Sequence, residues 1–591
     1  MGRVERQVSP AGAAPGRSRR TWQERASALL ATLLVSLFGT YFGAYAIFAH
    51  GIFHTQAYDL GTFDQGIWLA GHGRNWFVTV RGLSLFGDHV RVLSLLLAPL
   101  YWLVDDVRAL LVLHAAVIAA GGWFVFRLAR RELPGQPWAW LVLSAGWLLH
   151  PAVQNLALDY AHPDAFASTF LLASVDSLRG GRRGAFWCFA ALAMSCKEDV
   201  PLAFVAMGLS MLATQRTRRL GATLALAAGA SFVLCVGVIL PVANGVGFFR
   251  FERRGIYSGL HDHWGEPTWW AALIADGDSV SYLLRLVGPF LLLPVLAPVS
   301  LVPALPALVA NLASDAVYQR SFEFHYQTSV LPFVFLATID ALSRIGYWLA
   351  LVAGVPGTAG SVSSWPAVAN RALRASAPIA LLGAAVWANL AWSRVPIDEL
   401  DRIRSEWPDA QQQRPFARLQ RIVGRIPHDA VVAADYTIVP HLTHRPRVYM
   451  LPNPFVADEW GIHGEHLDVA DDVQYIVVRD IVADDRVRAV VTRLVKTGIF
   501  EELESDSGTT LYRRATLRSA ADHAGCGDWD GDGHLMPTDL RSVAGAIAAG
   551  RPCPPSICDA DGSGSVDARD VDRLRERLAD PAVRLECPPS L

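Results

Sequence analysis

An all-α polytopic membrane domain, followed by a small extracytoplasmic α/β domain and a small α calcium-binding domain, is the fold class that the sequence predicts. Three observations predict it. The chain has 591 residues, of which 52% are hydrophobic and only 18% charged, too apolar for a soluble protein of this length. The apolar residues concentrate between Ala26 and Trp392, and the segment after Arg394 has the charge density of a soluble domain. The last segment carries two twelve-residue runs of Asp, Gly and Ser with the spacing of calcium loops.

Taken in order, residues 1–25 are Arg-rich with Pro and Gly and lack apolar periodicity, which predicts a disordered basic arm on the cytoplasmic side. Residues 27–48 form the first transmembrane helix, long enough at 1.5 Å per residue to cross a ~30 Å hydrocarbon core and without a signal-peptide cleavage site. Later apolar runs lie at 107–126, 138–156, 166–178, 185–194, 200–212, 220–242, 283–296, 301–312, 330–352 and 379–392, so the membrane domain, 26–394, is expected to have about eleven spans. Residues 93–104 read as an interfacial helix in the first outer loop. With the basic arm inside, Arg127, Arg130 and Arg131, then Arg179, Arg182 and Arg183, then Arg216, Arg218 and Arg219, then Arg371 and Arg374 all fall in cytoplasmic loops. An odd number of spans then places everything after Arg394 outside a bacterial-type cytoplasmic (inner) membrane. Cys526, Cys553, Cys558 and Cys587 agree with that side, because an even set in a loop-rich tail reads as disulfides formed in an oxidising compartment. The net charge is −2 and no basic stripe interleaves with aromatics, so a nucleic-acid partner has no electrostatic footprint.

The outer face collects the chemistry. The first outer loop holds Asp59, Asp64, Asp88 and His89, and later loops hold Asp159 to Asp164, Lys197-Glu198-Asp199, His261-Asp262-His263 and Glu323 to Tyr326. Carboxylates beside span ends usually face a water-filled cavity or each other, so gathering them on one face predicts one cavity. For any single residue, solvation in a loop is the commoner fate; the set is harder to dismiss. An aspartate here has the chemistry of a general base for an acceptor, while Lys197, Arg320 and His325, with Glu198 beside them, form a substrate-binding group suited to a phosphate. His261 and His263 alone are weak evidence for a metal. Asp340 and Arg344, at helical spacing, read as a local ion pair, and His114 as a packed polar residue.

The stretches YDLGTFDQGIW, GDHVRVLSLLLAPLYWL, SCKEDVPLAF and FEFHYQTSVLPFVF resemble the bacterial and archaeal membrane family known as domain of unknown function 2079, over roughly residues 27–512. That family is similar in layout to the C-type glycosyltransferases, which use polyprenyl-phosphate sugars and carry a catalytic Asp in the first outer loop. The resemblance implies a polyprenyl-phosphate sugar donor, membrane lipids as partners, Asp59 as the base and Asp64 as second candidate. The adjacent acidic pair common in those transferases is replaced by two aspartates five apart. The residues also leave open a transporter and a non-catalytic anchor that displays a docking module.

From 395 to 515, alternating helical and β-type runs predict a small α/β domain, with strands at 430–434, 447–451, 474–478 and 509–513 and a helix at 484–496. It has no phosphate loop and no nucleophile elbow. In the tail, 516–591, Asp528, Asp530, Asp532 and Asp539 occupy loop positions 1, 3, 5 and 12 with Gly533 at 6, and His534 offers its carbonyl at 7. Asp559, Asp561, Ser563, Ser565, Asp567 and Asp570 repeat the scheme around Gly564. Each loop precedes a helical run, and Leu535 and Val566 are placed to pair the two. That duplication resembles a type I dockerin, which implies Ca2+ and a cohesin-like partner. The residues at loop positions 10 and 11 depart from the usual recognition pair.

Overall fold

The computed structural model describes residues 22–248, 258–354, 365–393, 413–458, 460, 467–515, 526–529, 535–579, 585 and 587. Most of the basic arm, and Asp530, Asp532 and His534 of the first tail loop, lie outside the described residues.

The membrane part is a bundle of helices. Helix α1 (Trp22–Gly51) packs along α3 (Val107–Glu132), and α2 (Thr62–Gly71) lies in the loop between them. Next come α4 (Pro137–Leu149) and α5 (Pro151–Leu158), which meet at 48°, then α6 (Phe166–Arg179), α7 (Arg183–Met194) and α8 (Val200–Met211). Helix α9 begins at Arg218 and runs through a π turn at Cys235–Ile239 to Ala243; α10 (Leu331–Gly354) and α11 (Trp365–Trp392) complete the bundle. The break between α4 and α5 falls at His150-Pro151, where proline cannot donate into the helix ladder and disfavours helical backbone in the residue before it; His150 sits at ψ 128°. The ring nitrogen Nδ1 of His150 instead caps α5 by accepting from Ala152 N at 3.2 Å.

Among the described residues four helices are long and apolar enough to cross a membrane, five if the bent pair is one span. The remaining runs among the eleven expected are shorter helices or, at α10, a longer helix that carries Asp340 and Arg344. Helix α7 has 12 residues and reaches about 18 Å, which is why an apolar run is a weaker signal than a span. Helices α8 and α9 approach at glycines: a Cβ on Gly208 would lie 2.6 Å from Gly221 O, and one on Gly221 2.6 Å from Gly208 O. The closeness extends dispersion contacts along both backbones.

Two expectations are corrected or confirmed inside the bundle. Asp340 does not pair with Arg344. It takes both terminal nitrogens of Arg179 at 2.7 Å and the hydroxyl of Ser300 at 2.6 Å, while Arg344 donates to Leu296 O at 3.4 Å. Neighbouring helices outcompete the local i, i+4 geometry because a bidentate guanidinium fits a carboxylate better. His114 is buried against Phe166, as expected of a packed polar residue.

The α/β domain caps one end of the bundle. Its five-stranded sheet has the order β4-β3-β5-β7-β6, with β3 (Val432–Ala434), β4 (Val448–Met450) and β5 (Tyr475–Arg479) parallel and β6 (Phe500–Asp506) and β7 (Thr509–Arg514) antiparallel. Helices α12 (Gln413–Val423) and α13 (Asp485–Lys496) complete it. The expected strands are present. Strand β6 was not expected, because Phe-Glu-Glu-Leu-Glu-Ser-Asp is too charged to look like a strand; it is an edge strand, where charge discourages pairing with another chain.

The cap is not separable from the first loop of the membrane domain. A short hairpin in that loop, β1 (Phe77–Val78) with β2 (Leu83–Ser84), adds Val78, Val80 and Leu85 to a core that contains Ile422, Val432, Val439 and Val477 of the cap. Thr79 Oγ1 donates to Val448 O at 2.7 Å and accepts from Val448 N at 2.9 Å, and Trp460 Nε1 donates to Thr79 O at 2.8 Å. Gly82, at φ +67°, sits so close to the Trp460 ring that a Cβ would lie 2.6 Å from it.

In the tail, helices α14 (Pro537–Ala548) and α15 (Ala568–Ala579) pack on Val543, Ile557 and Leu574, with Leu535 and Val566 alongside. Disulfides join Cys526 to Cys587 and Cys553 to Cys558.

Candidate active site at the cap face

Helix α1 ends at the cap: the ring of His50 stacks on His441 at 3.9 Å, and Phe53 stacks on the same ring at 3.8 Å. The chain then makes a π turn, Ala57–Gly61, whose first amide donates to Tyr436 O of the cap at 2.7 Å. That turn carries Asp59, whose side chain is 39% exposed at the mouth of a cavity of about 200 Å³. Asn155, Asp159, Tyr160, Glu323 and Phe324 line the same cavity.

Behind Asp59 lies a tight set of charges. His162 Nε2 is 3.4 Å from Asp59 Oδ1, and the His162 ring stacks on His325 at 3.7 Å. His325 Nδ1 is 3.1 Å from Asp159 Oδ2, and its Nε2 is 3.6 Å from Asp164 Oδ2. Asp164 is buried and takes Arg91 Nε at 2.5 Å and Arg91 Nη2 at 3.3 Å, with Lys197 Nζ at 3.7 Å. Phe63 lies under the Arg91 guanidinium at 4.6 Å. The loops that bring these groups together hold the short 3-10 turns Pro163–Ala165, after α5, and His325–Gln327, before α10.

The two stacked imidazoles titrate apart. Burial disfavours the His162 cation, but Asp159, then Asp164 and Asp59, more than restore it and push His162 up to about 9. Burial and the charge on His162 push His325 down to about 4. Desolvation alone would raise the Asp59 carboxyl; contact with His162 outweighs it and holds Asp59 below its usual value. Stacked titratable groups pushed in opposite directions divide into a proton-bearing and a proton-free member.

Asp159, His162 and His325 each offer one ligand atom within 4.8 Å of the others, a mixed nitrogen and oxygen set suited to a divalent transition metal. Bound metal requires a neutral imidazole, so a metal and a cationic His162 exclude one another.

The expected site residues fall into three groups. Asp59, His325 and Lys197 meet in this cluster. Asp88, His89 and Glu198 adjoin it: His89 Nδ1 is 2.7 Å from Glu198 Oε1, and Glu198 Oε2 accepts from Val90 N, next to Arg91, at 2.9 Å. Asp64 is a correction. It is fully buried and faces the seam, bonded to Tyr101 and Thr443 and 3.3 Å from His444 Nε2, whose Nδ1 in turn reaches Asp105 at 2.7 Å. It ties the cap to the bundle and does not line the cavity. Arg320 donates to Leu312 O at 3.1 Å, a contact that folds its own loop. His261 and His263 each pair with a neighbouring carboxylate, Asp262 at 2.9 Å and Glu266 at 3.2 Å. Arg91, Asp159, His162 and Asp164 were not among the site residues expected. The segment Asp-Tyr-Ala-His-Pro-Asp was the available signal, with four titratable groups in six residues at a span end.

In the tail, Asp559, Asp561 and Asp570 also bring ligand atoms within 4.8 Å. Asp570 accepts from Asp561 N at 3.2 Å and Asp567 N at 2.7 Å, and Asp539 accepts from Trp529 N at 3.1 Å and Met536 N at 2.7 Å. The twelfth residue of each loop thus accepts from the ninth, and also from the second residue of the first loop and the third of the second. Ser563 and Ser565 face each other at 3.1 Å, and Asp528 is buried beside Trp529.

Fold and site together define a polytopic membrane protein with a polar, cap-covered centre at one end of its helices. The chain belongs to the family of predicted membrane proteins with domain of unknown function 2079, which it matches over residues 49–497. No curated protein matches it. Among solved structures it is similar to ArnT from Cupriavidus metallidurans in the apo state, with TM-score 0.46 and 14% identity over 80% of this chain and 97% of that one. The same protein bound to undecaprenyl phosphate gives TM-score 0.46 and 16% identity over 81% and 98%. The oligosaccharyltransferase of Archaeoglobus fulgidus in its apo form gives TM-score 0.37 and 14% identity over 84% and 75%. Likeness at these scores carries no assignment of activity.

Proposed function

We propose that the protein transfers a sugar from a polyprenyl-phosphate donor to an acceptor on the extracytoplasmic face, with Asp59 as the base. The observation that carries this reading is Asp59 lining the cavity, its carboxyl held below its usual value by contact with His162. The acceptor hydroxyl oxygen attacks the anomeric carbon, the bond from that carbon to the phosphate oxygen breaks, and polyprenyl phosphate leaves with the bonding pair. The acceptor proton passes to Asp59. Lys197 and Arg91, both pinned by Asp164, supply a fixed positive field for the departing phosphate.

The charge balance favours a role for a metal. Arg91, Lys197 and cationic His162 are outnumbered by Asp59, Asp159, Asp164 and Asp199, the last 3.8 Å from Lys197, which leaves no surplus positive charge for a phosphate. A divalent ion at Asp159, His162 and His325 would displace the His162 proton, raise the charge of the cluster by one and act there as a Lewis acid when bound. The full chain in proteoliposomes with a panel of polyprenyl-phosphate sugars is expected to release free polyprenyl phosphate, followed by mass spectrometry. EDTA is expected to stop release and divalent metal to restore it. A folded protein that consumes no donor sinks the transfer reading; release indifferent to EDTA sinks only the metal.

The tail fits a calcium-binding, dockerin-like docking module on the same face, with a cohesin-like domain as the partner class. The recurring bond from the ninth residue of each loop to its twelfth supports this reading. Uncompensated carboxylates repel each other until an ion enters, so calcium is expected to stabilise the tail by mass action. Limited proteolysis of the full chain is expected to cut between residues 515 and 591 in EGTA and to spare that segment in calcium. Identical cleavage in both would remove the calcium assignment.

A further inference from the structure

At the end of the bundle away from the cap, the carboxylates lie inside and the guanidiniums outside. Asp176, near the end of α6, is fully buried, and three arginines converge on it. Arg182 Nη2 is 2.6 Å and Arg127 Nη2 2.9 Å from Oδ2, and Arg131 Nη2 is 3.4 Å from Oδ1. One carboxylate balances one of three charges. Beside them Arg179 bridges Glu132 at 3.1 Å and Asp340 at 2.7 Å, Arg130 lies over Trp140 at 6.0 Å, and Arg183 opens α7. Six arginines therefore face three carboxylates.

Two of the three carboxylates lie deeper than their arginines. Asp176 is 0% exposed under Arg127, Arg131 and Arg182 at 34%, 36% and 45%, and Asp340 13% under Arg179 at 25%; Arg179 and Glu132, at 28%, lie at similar depth. The surface presented is cationic. It is also built: a Cβ on Gly180 would lie 2.9 Å from Arg131 Nη2 and 3.3 Å from Arg182 Nε, and Gly181 turns the chain at φ +70°. A side chain at Gly180 would press on both guanidiniums where they reach Asp176. Three like charges this close repel, and an anion from outside relieves them.

Its level in the bundle identifies the source of that anion. Helix α3 starts beside the Asp105–His444 contact and ends at Glu132, about 39 Å away along its axis, so Arg127 and Arg131 stand at the far membrane surface. Trp138, 45% exposed, opens α4 at the same end, as aromatic residues do at headgroup depth. We propose that this arginine crown binds the phosphate of an anionic phospholipid in the leaflet opposite the cap. Guanidinium forks suit a phosphate oxygen pair, and basic pockets between membrane helices hold anionic headgroups.

Native mass spectrometry of the full chain, released from membranes containing equal phosphatidylglycerol and phosphatidylcholine, tests this. The wild type is expected to retain phosphatidylglycerol selectively, and Arg182→Gln to retain it about fivefold less. Each single replacement leaves Asp176 two arginines, so Arg127→Gln serves as a second variant should Arg182→Gln melt early. Equal retention of the two lipids, or unchanged retention in both variants, overturns the proposal. Displacement of the lipid by millimolar inorganic phosphate also overturns it, by assigning the crown to a soluble anion.

Discussion

Asp59→Asn is expected to lower sugar transfer by about 10²- to 10⁴-fold, the range a positioned general base contributes. The replacement keeps the shape of the side chain and removes only its capacity to take a proton and its charge toward His162, 3.4 Å away. Because Asp59 is more than a third exposed, losing that charge costs the fold little. The thermal melt is expected to stay near that of wild type while donor release falls. A transfer rate within threefold of wild type, in protein of normal melting temperature, removes Asp59 from the mechanism. A loss of rate that tracks a loss of folded protein would reassign it to structure.

How much of this was legible in the sequence depends on whether a signal was local. The motif YDLGTFDQGIW bearing Asp59 and the calcium spacing of the tail are written within a dozen residues each, whereas the π turn at Ala57–Gly61 is not. Asp64 was the second base candidate that the family resemblance implied, in the same loop as Asp59. Five residues on a helix rotate a side chain by about 140°, however, so two such aspartates cannot face one cavity. The second becomes the seam to Thr443 and His444, nearly four hundred residues on. The partnership of His162 with His325, and of Arg91 with Asp164, is likewise tertiary. Sequence put each on the same face but could not select them from other polar loop residues. The boundary near residue 395 hid another long-range fact, since the hairpin at Phe77–Ser84 belongs to the core of the cap. Two-residue strands carry no periodicity from which that could be read.

Asp164→Asn should have the largest effect on stability in the molecule. Asp164 is 2% exposed, and its partners Arg91 and Lys197 are 7% and 12% exposed. Neutralising it leaves the enclosed Arg91 without its bidentate carboxylate and Lys197 with Asp199 alone, at 3.8 Å, where removing one partner of a buried pair costs about 3–5 kcal/mol. It also removes the group that faces His325 Nε2 at 3.6 Å and His162 Nδ1 at 3.8 Å, so the stacked pair loses its common anchor. The expected result is a melting temperature lowered by many degrees in detergent, with donor binding lost along with stability. Arg91→Gln in the same chain should recover part of the loss, because it removes the orphaned guanidinium; groups in contact are the ones whose effects fail to add. If Asp164→Asn melts with wild type, the cluster is solvated and Asp164 does not organise it. If the single variant melts early and the double variant melts earlier still, the cost lies in packing around Phe63 and not in unpaired charge.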